Sequence, residues 1–271
     1  MDQERKKLVL EWEKAPEKVI DYEEGTSIDK DGKVYNYPSG HRLLIGDPAK
    51  GGEKQVMDTC ETPWAFATVD KAFEGFPQSS GQLEILERGF GMGITARRVI
   101  QNLITRGGEY TGIELNKENA NFAKKWIGKQ KSALANMASG LPGTKPDINI
   151  SIIEGDSYEE TAKLAETDRK FDIIISDTYP LNEEEEGIND LKDLNTLKRC
   201  LKPNGVFAFF AFFPGTSDGV AKKQKDIIAE HFKDYSVSSV EVNPPPEYKY
   251  LRDENGPIRR LAVVICKNPI A

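Results

Sequence analysis

Leu-Glu-Ile-Leu-Glu-Arg-Gly-Phe-Gly-Met-Gly, residues 83–93, decides how this chain is read. An apolar run ends at an acid, Glu87, and glycines follow at alternate positions, Gly89, Gly91 and Gly93. A helix-forming segment, 94–105, comes next. A strand that turns on glycines into a helix brings backbone N–H groups close to a small charged ligand. Glycine suits such a turn because a side chain would block the approach or forbid the backbone angles. The dinucleotide fingerprint wants its third glycine at position 94, which is Ile94, and no Gly-Lys-Ser/Thr follows as a P-loop requires. What remains is acid-x-Gly-x-Gly-x-Gly.

Working outward, strand and helix alternate from residue 83 onward. Strands are predicted at 83–88, 110–115, 148–153, 171–176, 205–212, 235–242 and 260–266. Helices are predicted at 94–105, 116–126, 158–166, 188–200 and 218–232. This alternation predicts an α/β fold, a seven-stranded, mostly parallel sheet with helices on both faces. Ligands of such sheets sit at the carboxyl ends of the strands. Residues 127–147 read as an inserted flap or a lengthened helix plus loop. Residues 1–80 read as an appendage to a main domain over 81–271. The appendage has a short amphipathic helix in 1–24 broken near Pro16, a hairpin within 25–46 marked by Asp31-Gly32, a turn-rich connection over 46–52, and a helix over 65–73. Trp64, Phe66 and Phe73 read as core, as do Phe207, Phe209 and Phe210, while Phe212 or Phe213 can edge a pocket.

The bulk composition narrows the class. Hydrophobic residues make up 38% and charged residues 30% of 271, a soluble globular balance. No apolar run approaches the roughly 20 residues of a membrane span, and the N-terminus lacks a signal-peptide pattern. A net charge of -7 gives no electrostatic footprint for nucleic acid. Three widely spaced cysteines suit reduced thiols and a cytoplasmic protein. Two histidines, in no metal-binding cluster, predict no metal site.

The acid-and-glycine motif resembles the first motif of class I S-adenosylmethionine-dependent methyltransferases, which have a Rossmann-like fold. On that resemblance Glu87, Gly89, Gly91 and Gly93 belong to the site of S-adenosylmethionine, with S-adenosylhomocysteine as product. Glu114 ends the second strand, where a carboxylate can accept both ribose hydroxyls. After the third strand, Asp156 can accept from the adenine amino group, Ser157 adjoins it, and Tyr158 can lie against the ring. Asp156 and Ser157 are equally explained as the N-cap of the helix that follows.

Three further strings sharpen the resemblance. Gly-Phe-Gly-Met at 89–92, Asp-Thr-Tyr-Pro-Leu at 177–181 and Val-Met-x-x-x-Glu-Thr-Pro at 56–63 together resemble the guanidinoacetate N-methyltransferase family and the related fungal arginine N-methyltransferases. The likeness covers roughly 50–271. It implies that Glu61 and Asp177 are the catalytic carboxylates and grip a guanidinium; one of them can accept the proton as the N–C bond forms, and the place of Asp177 at the end of the fourth strand favours it, with Glu61 as the clamp. It also places Thr178 and Tyr250 (of Pro244-Pro245-x-x-x-x-Tyr) at the substrate, Met57 at the cofactor, and residues 1–80 as a substrate cap. The chain departs from the family at Cys60 in place of Trp, Trp64 in place of Tyr, Arg88 in place of an apolar residue, and Asp156-Ser157-Tyr158 in place of a Leu-Trp pair. Asp177 can also be explained as an acceptor of backbone N–H bonds that shapes its turn. The expected activity is N-methylation of a small guanidino compound of arginine or guanidinoacetate type. Two alternatives stand beside it: a methyltransferase for another amine or ring nucleophile, and a non-catalytic cofactor-binding protein. The expected partner is a small molecule, without nucleic acid or membrane, and a homodimer is left open.

Overall fold

The computed structural model describes residues 25–28, 34–37, 42–45, 54–76, 81–104, 106–139, 147–178, 188–211, 219–242, 244, 252–253, 256–257 and 260–270. Four short strands come first: β1 (Gly25–Ile28), β2 (Val34–Tyr37), β3 (Arg42–Ile45) and β4 (Lys54–Asp58). They form an antiparallel sheet in the order β1-β2-β3-β4. A 3-10 turn, Thr59–Glu61, leads into α1 (Thr62–Glu74). Pro63 lies in the first turn of α1, where its missing N–H has no partner to lose.

The main alternation follows. It runs β5 (Leu83–Arg88), α2 (Ile94–Ile104), β6 (Gly108–Glu114), α3 (Lys117–Ser139), β7 (Ile148–Glu154), α4 (Ser157–Glu166) and β8 (Phe171–Ser176). A 3-10 turn at Asn189–Leu191 precedes α5 (Leu194–Cys200). Then come β9 (Leu201–Ala211), α6 (Lys222–His231), β10 (Phe232–Glu241), a small hairpin of β11 (Arg252–Asp253) and β12 (Gly256–Pro257), and β13 (Arg260–Pro269).

Seven of these strands make one sheet in the order β10-β13-β9-β8-β5-β6-β7. Pairing is parallel from β9 to β7, and β13 runs antiparallel to both β9 and β10. The expected seven-stranded, mostly parallel sheet is therefore present. Strand order reverses between β5 and β8, so the crevice for a ligand opens past Arg88 and Ser176, which are register partners.

The central strands are buried on both faces because helices cover both. One layer packs α1, α2 and α3 on residues such as Leu83, Ile85, Ile173, Ala208 and Val263. The other packs α4, α5 and α6 on Leu86, Ile174, Phe207, Phe209 and Val264. Side chains alternate across β5, so Glu87 faces the first layer and Arg88 the second. Helix α1 is tied to the sheet by Trp64, whose buried Nε1–H donates to the Ala262 carbonyl at 2.7 Å. Its ring edge meets Phe210 at 4.6 Å. Asp70 of α1 takes a two-pronged bond from Arg98 of α2, at 2.8 and 2.9 Å.

The structure departs from the sequence expectations in the appendage, over 188–200 and at several element ends, among them β9, which begins at Leu201. The hairpin expected within 25–46 is part of a four-stranded sheet that β4 completes. Of the two readings of 127–147, the lengthened helix is the one present: α3 continues to Ser139 through Lys129, Lys131, Ala133, Ala135 and Ala138, which favour helix. The single helix expected over 188–200 is instead a 3-10 turn and a shorter helix, because side chains of Asn189 and Asp190 are drawn back to the end of β8. The expected helix in 1–24 and the residues Phe212 and Phe213 lie outside the described residues.

Replacing Trp64 by Phe keeps an aromatic ring but removes part of the buried side chain and leaves the Ala262 carbonyl without its indole donor. The expected loss is about 1–3 kcal/mol, measured by urea unfolding, and an unchanged midpoint would show that this bond does not anchor α1.

Candidate active site

The glycine turn is held from both sides. The amides of Gly89 and Phe90 donate to the Ile113 carbonyl of β6 at 3.0 and 3.2 Å. From β8, the Asp177 amide donates to the Arg88 carbonyl at 2.9 Å. Gly89 has φ +85°, and a Cβ there would lie 2.2 Å from the Asp177 carbonyl oxygen. No side chain fits, because the obstacle is backbone. Gly91 and Gly93 also have positive φ, +52° and +72°. A Cβ at Gly91 would meet the Met57 sulfur at 2.9 Å. That sulfur accepts the Met92 amide at 3.2 Å, so buried Met57 packs β4 directly against the turn.

Two acids back the turn. Glu114, at the end of β6, accepts from the Gly91 amide at 3.0 Å and from the Asn116 amide at 2.9 Å. It also accepts from Asn119 Nδ2 at 2.9 Å, and that amide donates to the Gly91 carbonyl as well. Burial raises the Glu114 carboxyl, and these donors hold it back. Glu87 is fully buried and accepts from the Tyr110 hydroxyl. Burial pushes the Glu87 carboxyl well up, the Tyr110 bond lowers it, and the charges of Asp177 and Glu114 raise it again. Tyr110 reaches Glu87 because residue 112 is glycine: a Cβ there would lie 2.8 Å from the Tyr110 hydroxyl. Burial also raises the Tyr110 phenol, and Glu87 adds to that.

Asp156 caps α4, accepting from the amides of Tyr158 and Glu159 at 2.8 and 3.1 Å. Ser157 opens the helix, and its carbonyl accepts the Thr161 hydroxyl at 2.5 Å. The Tyr158 hydroxyl donates to the Asn189 carbonyl. The Arg88 guanidinium lies over the Tyr158 ring, 5.1 Å from its centre. Arg88 is wholly buried, and its Nη1 is 3.0 Å from Asp193 Oδ1. The Asp193 carboxyl is raised by burial and lowered by Arg88.

Asp177 leaves β8 at the switch point. Its Oδ2 is sealed from solvent and has no hydrogen-bond partner among the described residues. Burial first, then the Asp190 charge, pushes its carboxyl up from 3.8 to about 7. The Thr178 hydroxyl donates to Asp190 Oδ1 at 2.6 Å and lies 3.0 Å from Asn189 Nδ2. Glu61, the last residue of the 3-10 turn before α1, is buried at 3% exposure, four residues after Met57. The structure thus gathers Glu87, Glu114, Asp177 and Met57 about the glycine turn. Asp156 and Tyr158 stand at the start of α4. Pro244 is buried, while Tyr179, Pro180, Leu181, Pro245 and Tyr250 lie outside the described residues.

Several residues at this site carry no motif. Tyr110 and Asn119 were reachable only through their partners: Gly112 opposite Glu87 marks room for a neighbour's side chain, and Asn-x-x-Asn at 116–119 follows the Glu114 acid. Arg88 carried a better signal. A charged residue ending a buried strand requires a counter-ion, and Asp190 and Asp193 are among the acids that follow β8.

A carboxylate accepts hydrogen bonds and draws cations, and a glycine turn leaves room for close approach. Such a set fits a cationic cofactor with hydroxyl groups, such as S-adenosylmethionine, and a cationic acceptor. Comparison with known proteins agrees. The family model described as guanidinoacetate N-methyltransferase matches residues 33–243, beginning earlier than the motifs alone suggest. Among solved structures, spermidine synthase from Thermotoga maritima superposes with a TM-score of 0.55 at 14% identity, over 91% of this chain and 73% of that one. A spermidine synthase in complex with the transition state analogue AdoDATO gives 0.54 at 14%, over 91% and 72%. A probable spermidine synthase from Corynebacterium glutamicum ATCC 13032 gives 0.54 at 18%, over 90% and 80%. At these identities the likeness is one of fold.

Two outcomes are expected from this geometry. Gly89→Ala should cost more than about 1 kcal/mol by urea unfolding, since backbone must move; wild-type stability would contradict the close approach. Asp177 behaves oppositely to a paired aspartate. Its raised carboxyl favours the folded state below the unfolded value of about 3.9, and that contribution is lost as pH rises through about 7. Asp177→Asn should therefore raise the melting temperature at about pH 8 and leave it nearly unchanged at about pH 4. An equal effect at both would contradict the burial of an unpartnered carboxylate.

Proposed function

The chain belongs to the guanidinoacetate N-methyltransferase family, and on that premise we propose that it methylates a small guanidino compound of arginine or guanidinoacetate type. It is an S-adenosylmethionine-dependent methyltransferase. The donor supplies a methyl group activated on a sulfonium centre, and S-adenosylhomocysteine remains. In this reading Glu87, Glu114 and the glycine turn hold the donor, with Met57 packed beneath. Asp156, Ser157 and Tyr158 border its adenine end. Residues 1–80 cap the acceptor, and the partner is a small molecule rather than nucleic acid. Among the described residues no helix is long and apolar enough to cross a membrane. No disulfide joins Cys60, Cys200 and Cys266, which favours a cytoplasmic setting.

One observation carries the choice of acceptor. Asp177 presents a buried carboxylate oxygen that has no donor among the described residues, beside the glycine turn, at the switch point of the sheet. An anion so placed is costly unless a cation with N–H donors meets it. A guanidinium has N–H donors in a rigid fork and no lone pair. Glu61 and Asp177 grip the fork by charge-assisted bonds and so orient one nitrogen. Thr178 and Tyr250 stand at the same substrate. That nitrogen gains nucleophilic character only as it gives up a proton. Asp177 Oδ2 receives the proton as the new N–C bond forms, and a carboxyl held near 7 suits that role at neutral pH. Glu61 clamps the cation.

Incubation with labelled S-adenosylmethionine and a panel of guanidino compounds and other amines, read by mass, tests the reading. A guanidino compound should gain a methyl group, and kcat/KM should rise with pH through about 7. Asp177→Asn and Glu61→Gln should each lower kcat by about 100-fold or more while binding S-adenosylhomocysteine normally by calorimetry. Methylation of another amine or a ring compound alone, or wild-type rates in both variants, would overturn it.

A further inference from the structure

The two neighbours of Asp177 in sequence share one partner. Asp190 Oδ1 accepts from the Ser176 hydroxyl at 2.6 Å, from the Thr178 hydroxyl at 2.6 Å and from the Thr178 amide at 3.3 Å. Asn189 Nδ2 also donates to the Thr178 carbonyl. Extended backbone alternates its side chains, so tying residues 176 and 178 to one side turns residue 177 to the other. Asp190 is 3% exposed and belongs to the same short turn whose Asn189 carbonyl accepts the Tyr158 hydroxyl. We propose that Asp190 is a positioning residue for methyl transfer, holding Asp177 toward the acceptor and dividing the work of two buried acids so that Asp177 alone takes the proton. The proposal rests on the reading in which Asp177 receives the proton of a guanidino nitrogen.

The division follows from what each acid touches. Asp190 has three donors and the favourable charge of Arg88 acting on it. Asp177 Oδ2 has no donor among the described residues. Both carboxyls rise on burial, but the donors and Arg88 pull Asp190 back, whereas its charge pushes Asp177 further up. Neighbouring acids whose surroundings separate them in this way take different roles. The other charges bearing on the pair are Glu87 from β5, Arg88 at the end of β5, and Asp193 paired with Arg88. Arg88 is wholly buried, and its charge lowers the Asp190 carboxyl, so it helps to hold this second acid beneath the site.

The test is a carbon-13 carboxyl NMR titration of the full chain with S-adenosylhomocysteine bound, using Asp177→Asn to assign the Asp177 signal. Asp190→Asn keeps an acceptor oxygen for Ser176 and Thr178 and removes the charge. It should move the Asp177 titration down by about one pH unit and carry the acid limb of kcat/KM with it. Asp190→Ala loses the tether as well and should lower kcat by a further tenfold or so. An Asp177 titration unmoved in Asp190→Asn overturns the proposal, since a purely structural residue would leave it in place. If Asp190→Ala fails to fold, Asp190→Asn alone decides. A wild-type protein that methylates no guanidino compound yet shows the expected shift would sink the acceptor assignment and leave the coupling of the two acids standing.

Discussion

Gly89 and Asp177 touch through their backbones, and the site depends on that contact. The residue-89 position has room for a hydrogen atom and nothing larger before the Asp177 carbonyl. Two strands adjacent in the sheet but distant in sequence thereby end at the same point. The ladder that aligns Arg88 with Ser176 sets the approach, and the Asp177 amide bond to Arg88 closes it. Whatever binds the glycine turn is held within reach of the first residue past β8. The glycine turn and Asp177, the proposed donor site and the proposed acid for the acceptor, are thus fixed in relation to one another by main chain, which has far less freedom than side chains.

Charge is the second constraint. Glu87, Glu114 and Asp190 are buried and Asp177 Oδ2 is sealed from solvent within one neighbourhood, and desolvation raises each of these carboxyls. Their surroundings differ. Glu114 is surrounded by amides, Glu87 leans on a phenol, Asp190 is held by two hydroxyls, an amide and the charge of Arg88, and Asp177 Oδ2 has no such donor among the described residues. Such crowding costs stability in the free protein. In the proposed reading a cationic donor and a cationic acceptor offset it together.

Much of this architecture was legible in the sequence. The apolar runs at 83–88 and 171–176 are bounded by turn residues, and β5 and β8 occupy those ranges. The glycine turn was readable because only glycine adopts such angles against backbone. The capping explanation of Asp156 was visible too, since an Asp before a helix is a strong local signal. What escaped is non-local. β4 is a strand only because β3 pairs with it. The helix expected over 188–200 is interrupted because Asn189 and Asp190 serve Thr178 across the chain. No local pattern reports that Tyr110 occupies the space above Gly112, or that Arg88 finds its counter-ion a hundred residues later.

The most direct measurement is a crystal structure of the protein with S-adenosylhomocysteine and a guanidino compound bound. The expected result is a guanidinium fork hydrogen-bonded to both Glu61 and Asp177, with Asp177 Oδ2 on the nitrogen nearest the sulfur at the glycine turn. A guanidinium bound away from Asp177, or Asp177 Oδ2 still without a donor in that complex, would contradict the account.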